Sequence, residues 1–168
     1  MTYEQPDYLA ITKVRLTSLG GLACSMTVKD HEPIVADEPL DFVAGALAGG
    51  DTGWTPVQYQ LAALISCANV AIAITAQDQG FQLDGLEIRA QSDLDLRGLL
   101  DGDPDRQPEF LHVGLELRVQ TPESIERVEA LARESDRRCP QLGLFHQAKV
   151  PMTQTWTRDG EVLLTLEG

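Results

Sequence analysis

Apolar side chains recur along this chain in different rhythms, and each rhythm predicts a different element. Residues 9–17 (LAITKVRLT) and 22–29 (LACSMTVK) alternate in part and are separated by Gly20-Gly21, which predicts a β-hairpin. A short third strand is expected over 33–36. From Leu61 to Ile74 the side chains are apolar or small on every face, which predicts a helix buried all round. Thr55 can cap that helix, Pro56 suits its first position, and Gln58 falls three residues after the cap, completing a capping box. Gly80 is the expected stop.

Beyond it, Leu86, Ile88 and Ala90 alternate with Glu87, Arg89 and Gln91. Leu111, Val113, Leu115, Leu117 and Val119 alternate with His112, Gly114, Glu116 and Arg118, so both runs predict half-buried strands. Thr121 and Pro122 mark the expected start of a second helix, amphipathic through Ile125, Val128, Leu131 and Ala132. Cys139-Pro140 should end it, because proline disfavours helical geometry in the residue before it. Strands over 150–158 and 161–166 flank Asp159-Gly160, a hairpin turn signal. With loops at 37–54 and 97–109, the order predicts an α+β fold in one domain, 1–168.

Composition narrows the function. In 168 residues there are 13 basic and 26 acidic side chains, a formal charge of −13 with no basic cluster, which makes nucleic acid and anionic membrane surfaces poor partners. The apolar stretch Leu61–Ile74 is too short and too polar to span a bilayer, and the first twenty residues have no secretory pattern. A cytoplasmic location is expected, where three cysteines are reduced thiols rather than a disulfide framework.

Candidate chemistry is sparse. Residues 45–52 (GALAGGDT) match a phosphate-binding loop except that Asp51 replaces the lysine, and a carboxylate there repels phosphate. The three histidines, His31, His112 and His146, are scattered, and no Cys or His pair has zinc-ligand spacing, so no metal is expected. Cys24, in a predicted strand, reads as packing. Cys67 lies within the apolar helix and Cys139 at the end of the amphipathic one, followed by Leu142, Leu144 and Phe145. A buried-helix thiol and a helix-end thiol form a plausible redox pair, although their spacing alone establishes nothing.

The run Gly49-Gly50-Asp51-Thr52-Gly53-Trp54-Thr55-Pro56, continuing as VQYQLAALISC, resembles the central helix of OsmC/Ohr-like proteins and the loop before it. Members show TP or NP at the helix start, an LAAL-type core and a Cys eleven residues after the Pro; here 67 − 56 = 11. Residues 80–87 (GFQLDGLE) resemble the following turn, Cys139-Pro140 the family's second Cys-Pro motif, and Ile34-Val35-Ala36-Asp37-Glu38-Pro39 the DEP segment of one subgroup. Together these cover nearly the whole chain.

The resemblance implies an interwoven homodimer of α+β subunits, with antiparallel sheets around a buried central helix and active sites near the subunit boundary. Members typically reduce organic hydroperoxides with two cysteines and no cofactor. By resemblance, Cys67 is the peroxidatic thiolate and Cys139 the resolving thiol, and an external dithiol reduces their disulfide. Where members place an activating Arg and Glu, this chain has Leu22 or Ala23 and Val57-Gln58. Gln58 keeps hydrogen bonding without charge, and Arg15 on the first strand is a candidate substitute cation. Two functions remain open: a thiol peroxidase, and a dimer whose cleft, with Trp54 and Phe145 as candidate walls, binds a small hydrophobic or thiol compound while the cysteines are inert or redox-sensing.

Overall fold

Gly20 and Gly21 both adopt positive φ, 98° and 56°, and turn β1 (Arg15–Gly20) back antiparallel onto β2 (Ala23–Thr27). The computed structural model describes residues 9–41, 48–102 and 104–168, and the chain divides into two compact units, Met1–Gln58 and Tyr59–Gly168. In the first unit β3 (Ile34–Ala36) adds antiparallel to β2, completing the predicted three strands. β1 starts later than the alternation suggests, at Arg15, and all six of its residues are exposed.

Asp37, directly after β3 and buried, organises the glycine-rich segment that follows. Its carboxylate accepts from the backbone N–H of Gly50 (2.9 Å) and Thr52 (3.3 Å), from the Thr52 hydroxyl (2.7 Å) and from the N–H of Glu38 (2.9 Å). The Thr52 hydroxyl most of all, opposed by burial, holds the Asp37 carboxyl below the usual carboxylate range. Only glycine fits at 49, since a Cβ there would lie 1.6 Å from the Glu38 carbonyl oxygen. Residues 45–47 of the phosphate-loop-like run lie outside the described residues.

The predicted capping box is present: Gln58 N–H donates to Thr55 Oγ1 at 3.2 Å, and Thr55 N–H donates to Gln58 Oε1 at 2.9 Å. It starts α1 (Pro56–Asp78), which ends at Gly80 with φ 56°. There Phe81 N–H bonds to Ala76 O and Gly80 N–H to Gln77 O, a Schellman motif. Arg127 reinforces this end by donating to Gln79 O and Gly80 O while stacking over the Phe81 ring.

In the second unit, β4 (Gly85–Asp95), the short α2 (Arg97–Leu100) and β5 (Glu109–Gln120) form a long hairpin. Next come α3 (Ile125–Arg138), α4 (Pro140–Gln147), β6 (Met152–Arg158) and β7 (Glu161–Glu167). The sheet order is β4-β5-β6-β7. Leu64, Ala68 and Ile72 of α1 join Leu115 and Leu117 of β5, Val128 and Leu131 of α3, and Trp156 of β6 in one core. Asp159 and Gly160 both take positive φ, 53° and 86°, as the turn signal before β7 requires.

Six expectations need correction. The sheets are not wholly antiparallel: β5 and β6 pair in parallel, because α3 and α4 carry the chain back across the sheet between them. Leu111 is half exposed rather than inward, since it is the extra residue of a bulge between the Asp93–His112 and Leu94–Phe110 pairs. α3 starts at Ile125 behind a Ser124 cap, because the Thr121 hydroxyl is engaged with Gln82 O at 2.6 Å. The chain after Cys139 is helical, as α4, and short helical α2 interrupts the expected 97–109 loop.

Lastly, α1 is not buried all round. Ala63, Ser66, Asn69, Val70, Ala73 and Ile74 form an exposed stripe along it. By length and composition alone the 23-residue helix is apolar enough to cross a membrane, beyond what the Leu61–Ile74 stretch suggested. Its other side is built into the core of the second unit.

Candidate active site

Cys139 occupies a corner. It follows the last residue of α3 and caps α4, its extended backbone (ψ 113°) breaking the helix where Pro140 fixes the next φ. Its N–H donates to Asp136 O at 3.3 Å, and its carbonyl accepts from Gly143 N–H at 2.9 Å. The residue is 1% exposed.

α1 presents Cys67, half-buried, towards this corner, near enough to the Cys139 thiol to influence its ionisation. One heptad earlier on the same side of α1, Gln60 reaches Gln141 at 3.5 Å, so α1 meets the first turn of α4 at two points. Both thiols are free.

Burial pushes the Cys139 thiol above its ordinary pKa. The Leu142 amide pulls the other way, the Cys67 thiol adds to the rise, and the Gln141 amide again opposes it. These amides face the sulfur without closing a side-chain cap bond on it. Cys139 is therefore a protonated thiol near neutrality, and Cys67 the more accessible of the two.

Arg15, Cys24, Trp54 and Gln58 belong to the first unit and Phe145 to the second. Arg15 is exposed on β1, paired in register with Thr27. Gln58 is committed to the capping box. Trp54 is 57% exposed and bridges to Ala36. Phe145, expected as a pocket wall, is instead a core ring: it is buried and meets Phe110 edge-on, with centroids 5.6 Å apart. Cys24 is half-buried on β2. Among the described residues no cluster of three Cys, His, Asp or Glu side chains could hold a metal.

Sequence reading missed Gln60, Gln141 and the partners of Asp136, a carboxylate that receives His146 Nε2 at 3.2 Å and Gln154 Nε2 at 2.5 Å. A signal for α4 was present in Pro140 followed by Leu142 and Phe145 at helical spacing. An open cleft of about 330 Å³ lies against α1, lined by Ala62, Ile65, Ser66, Asn69, Leu86 and Ile88.

A family model for OsmC-like proteins matches residues 49–154, a span that holds both Cys67 and Cys139. The chain belongs to the OsmC-like family. Solved structures of the same fold include an OsmC-like protein from Mycoplasma pneumoniae, with TM-score 0.72 and 12% identity over 89% of this chain and 97% of that one. An organic hydroperoxide resistance protein OsmC from Legionella pneumophila has TM-score 0.70 and 18% identity over 90% and 99%. The organic hydroperoxide resistance protein OhrB of Bacillus subtilis has TM-score 0.64 and 22% identity over 88% and 98%. At these identities the likeness is one of fold. No curated protein matches the sequence. Within the OsmC-like fold, the corner between α3 and α4 is where this chain brings its second thiol to the central helix.

Proposed function

We propose that this OsmC-like protein is a two-cysteine thiol peroxidase for organic hydroperoxides. The observation that carries the reading is the proximity of the Cys67 and Cys139 thiols, one half-buried on α1 and one fully buried at the α3–α4 corner. Structural neighbours bearing the name organic hydroperoxide resistance protein support it.

The chemistry runs in three steps. The Cys67 thiolate attacks the terminal peroxide oxygen; the O–O bond breaks, the alkoxide takes up a proton and leaves as alcohol, and Cys67 becomes a sulfenic acid. Cys139 sulfur then attacks the Cys67 sulfur, and the thiol proton and the sulfenic hydroxyl depart as water. An external dithiol reduces the resulting disulfide by exchange, ending oxidised itself. In the second step Cys139 attacks as the thiolate, so its raised pKa slows this step near neutrality, and the proton it gives up leaves with the sulfenic hydroxyl as water.

The cleft against α1, lined by Ala62, Ile65, Leu86 and Ile88 with Ser66 and Asn69, is mostly apolar and includes the residue before Cys67, which favours an apolar substrate. The exposed stripe of α1, small at Ala63, Ser66 and Ala73 and apolar at Val70 and Ile74, is the surface we assign to the same helix of a second copy. A homodimer acting in the cytoplasm follows from this reading. Sedimentation should give twice the chain mass; a stable monomer would remove the assignment.

A second reading is favoured by one observation. Gln58, which stands where relatives carry a charged activator, is uncharged and used in the helix cap. The cleft would then bind a small hydrophobic or thiol compound, with the cysteines inert or redox-sensing.

Intact mass and thiol counting after one equivalent of an alkyl hydroperoxide separate the two. The peroxidase loses two thiols, Cys139→Ser accumulates a trappable Cys67 sulfenic acid, and Cys67→Ser does not react. Survival of all thiols in the wild type overturns the peroxidase.

A further inference from the structure

Gln154 occupies an anomalous place. It is 4% exposed on β6, between Met152 and Trp156, in the row of alternate residues that the strand turns into the core. The sheet pattern assigns such a position to an apolar side chain, and a buried amide is costly there unless it is bonded. Its amide group reaches out of the row and donates to Asp136 Oδ1 at 2.5 Å.

The same oxygen receives His146 Nε2, from the last turn of α4, at 3.2 Å. Asp136 itself belongs to the last turn of α3, and its backbone carbonyl accepts the Cys139 N–H. One residue thus ties α3, α4 and β6 together, and Cys139 lies in the three-residue span it closes off. Both main-chain polar groups of Cys139 are bonded, one to Asp136 and one to Gly143.

We propose that Asp136 is a positioning residue for the second thiol: through Gln154 and His146 it fixes the α3–α4 corner so that Cys139 sulfur stays in line with Cys67. The inference rests on the peroxidase reading for its place in the reaction, the disulfide-forming step. Its geometric content is independent of any peroxide. A disulfide needs the sulfurs about 2.05 Å apart with a narrow range of Cα separation. A corner free to shift by a fraction of an ångström therefore penalises disulfide closure, whereas Cys67, on a separate helix, keeps its own environment.

The test uses the full chain. Asp136→Ala removes the shared acceptor; Asp136→Asn keeps a carbonyl oxygen for Gln154; Gln154→Met removes the β6 link at nearly constant volume. Two quantities are read: the thiol–disulfide equilibrium of the Cys67–Cys139 pair against a dithiol buffer, and, after an alkyl hydroperoxide pulse, the separate rates of Cys67 sulfenic acid appearance and disulfide closure. For Asp136→Ala we expect an unchanged first rate, closure slower by about tenfold or more, and an equilibrium shifted toward the dithiol by a similar factor. Asp136→Asn should recover most of the loss and Gln154→Met should fall between. Circular dichroism and Tm establish that each variant is folded; if Asp136→Ala is not, Gln154→Met carries the same comparison.

If the folded variants close their disulfides with wild-type equilibrium and rate, or if both steps slow equally, the positioning role is overturned. If the wild type ignores the hydroperoxide while Asp136→Ala still shifts the dithiol equilibrium, the peroxidase reading fails and the positioning role stands.

Discussion

The thiols of Cys67 and Cys139 lie close enough to influence one another although 72 positions separate them, 139 − 67 = 72. Cys67 comes from the interior of a long helix and Cys139 from a corner between two shorter ones, so their meeting is a product of packing. Several measurable consequences follow from this contact and from the elements that hold it.

Thiol reactivity should be ordered. Burial raises the Cys139 pKa above its ordinary 9.0 and leaves it 1% exposed, so near neutrality an alkylating reagent should label Cys67 well before Cys139. The sign also bears on stability. A folded pKa above the unfolded one means the contribution is present at neutrality and is lost as pH rises through the folded value. Peptide mapping by mass after timed alkylation checks the order, and equal labelling of the two would refute it.

The Asp37 and Glu38 carboxyls should act in opposite directions. Asp37, held below its usual 3.8, stabilises the fold at higher pH and loses that contribution as pH falls through its folded value. Glu38, raised above its usual 4.5 by burial and then by the Asp37 charge, contributes below that range and loses the contribution as pH rises through its folded value. Asp37→Asn should therefore lower Tm at neutral pH with little effect in strong acid, while Glu38→Gln should raise Tm at neutral pH. Thermal unfolding across the acid range decides it.

Two glycine substitutions should differ sharply. Gly80→Ala meets no atom within 4 Å and suffers only the cost of a positive φ, about 1 kcal/mol. Gly49→Ala would put its Cβ 1.6 Å from a carbonyl oxygen, forcing the Asp37-organised segment apart, so its loss should be much larger. Denaturant unfolding of both variants gives the comparison.

Arg127→Ala should loosen the C-terminal end of α1. It deletes the donors to Gln79 O and Gly80 O, the ion pair with Glu123 and the contact over Phe81, together worth about 1 to 2 kcal/mol. Hydrogen exchange should rise at the amides of the last turn of α1 while the turn containing Cys67 keeps its protection; uniform loss along the helix would contradict the assignment.

What the sequence determined by itself was local. The Thr55–Gln58 capping box, the Gly80 stop and the Asp159-Gly160 turn join residues within a few positions of one another, so chain geometry alone makes them readable. The motif order and both Cys positions were also legible, and with them the family. The tertiary structure alone decided the long-range pairings. An alternating strand looks the same in either direction, which hid the parallel β5–β6 pair, and a bulge moved Leu111 outward without leaving a mark on the local pattern. Apolar periodicity marked α1 as a core helix but could not show that one side would remain exposed. The Cys67–Cys139 contact and the Asp136 corner join groups brought together by α1, α3, α4 and β6 packing on one another, and hydrogen bonds between distant segments leave no periodicity in the chain to read.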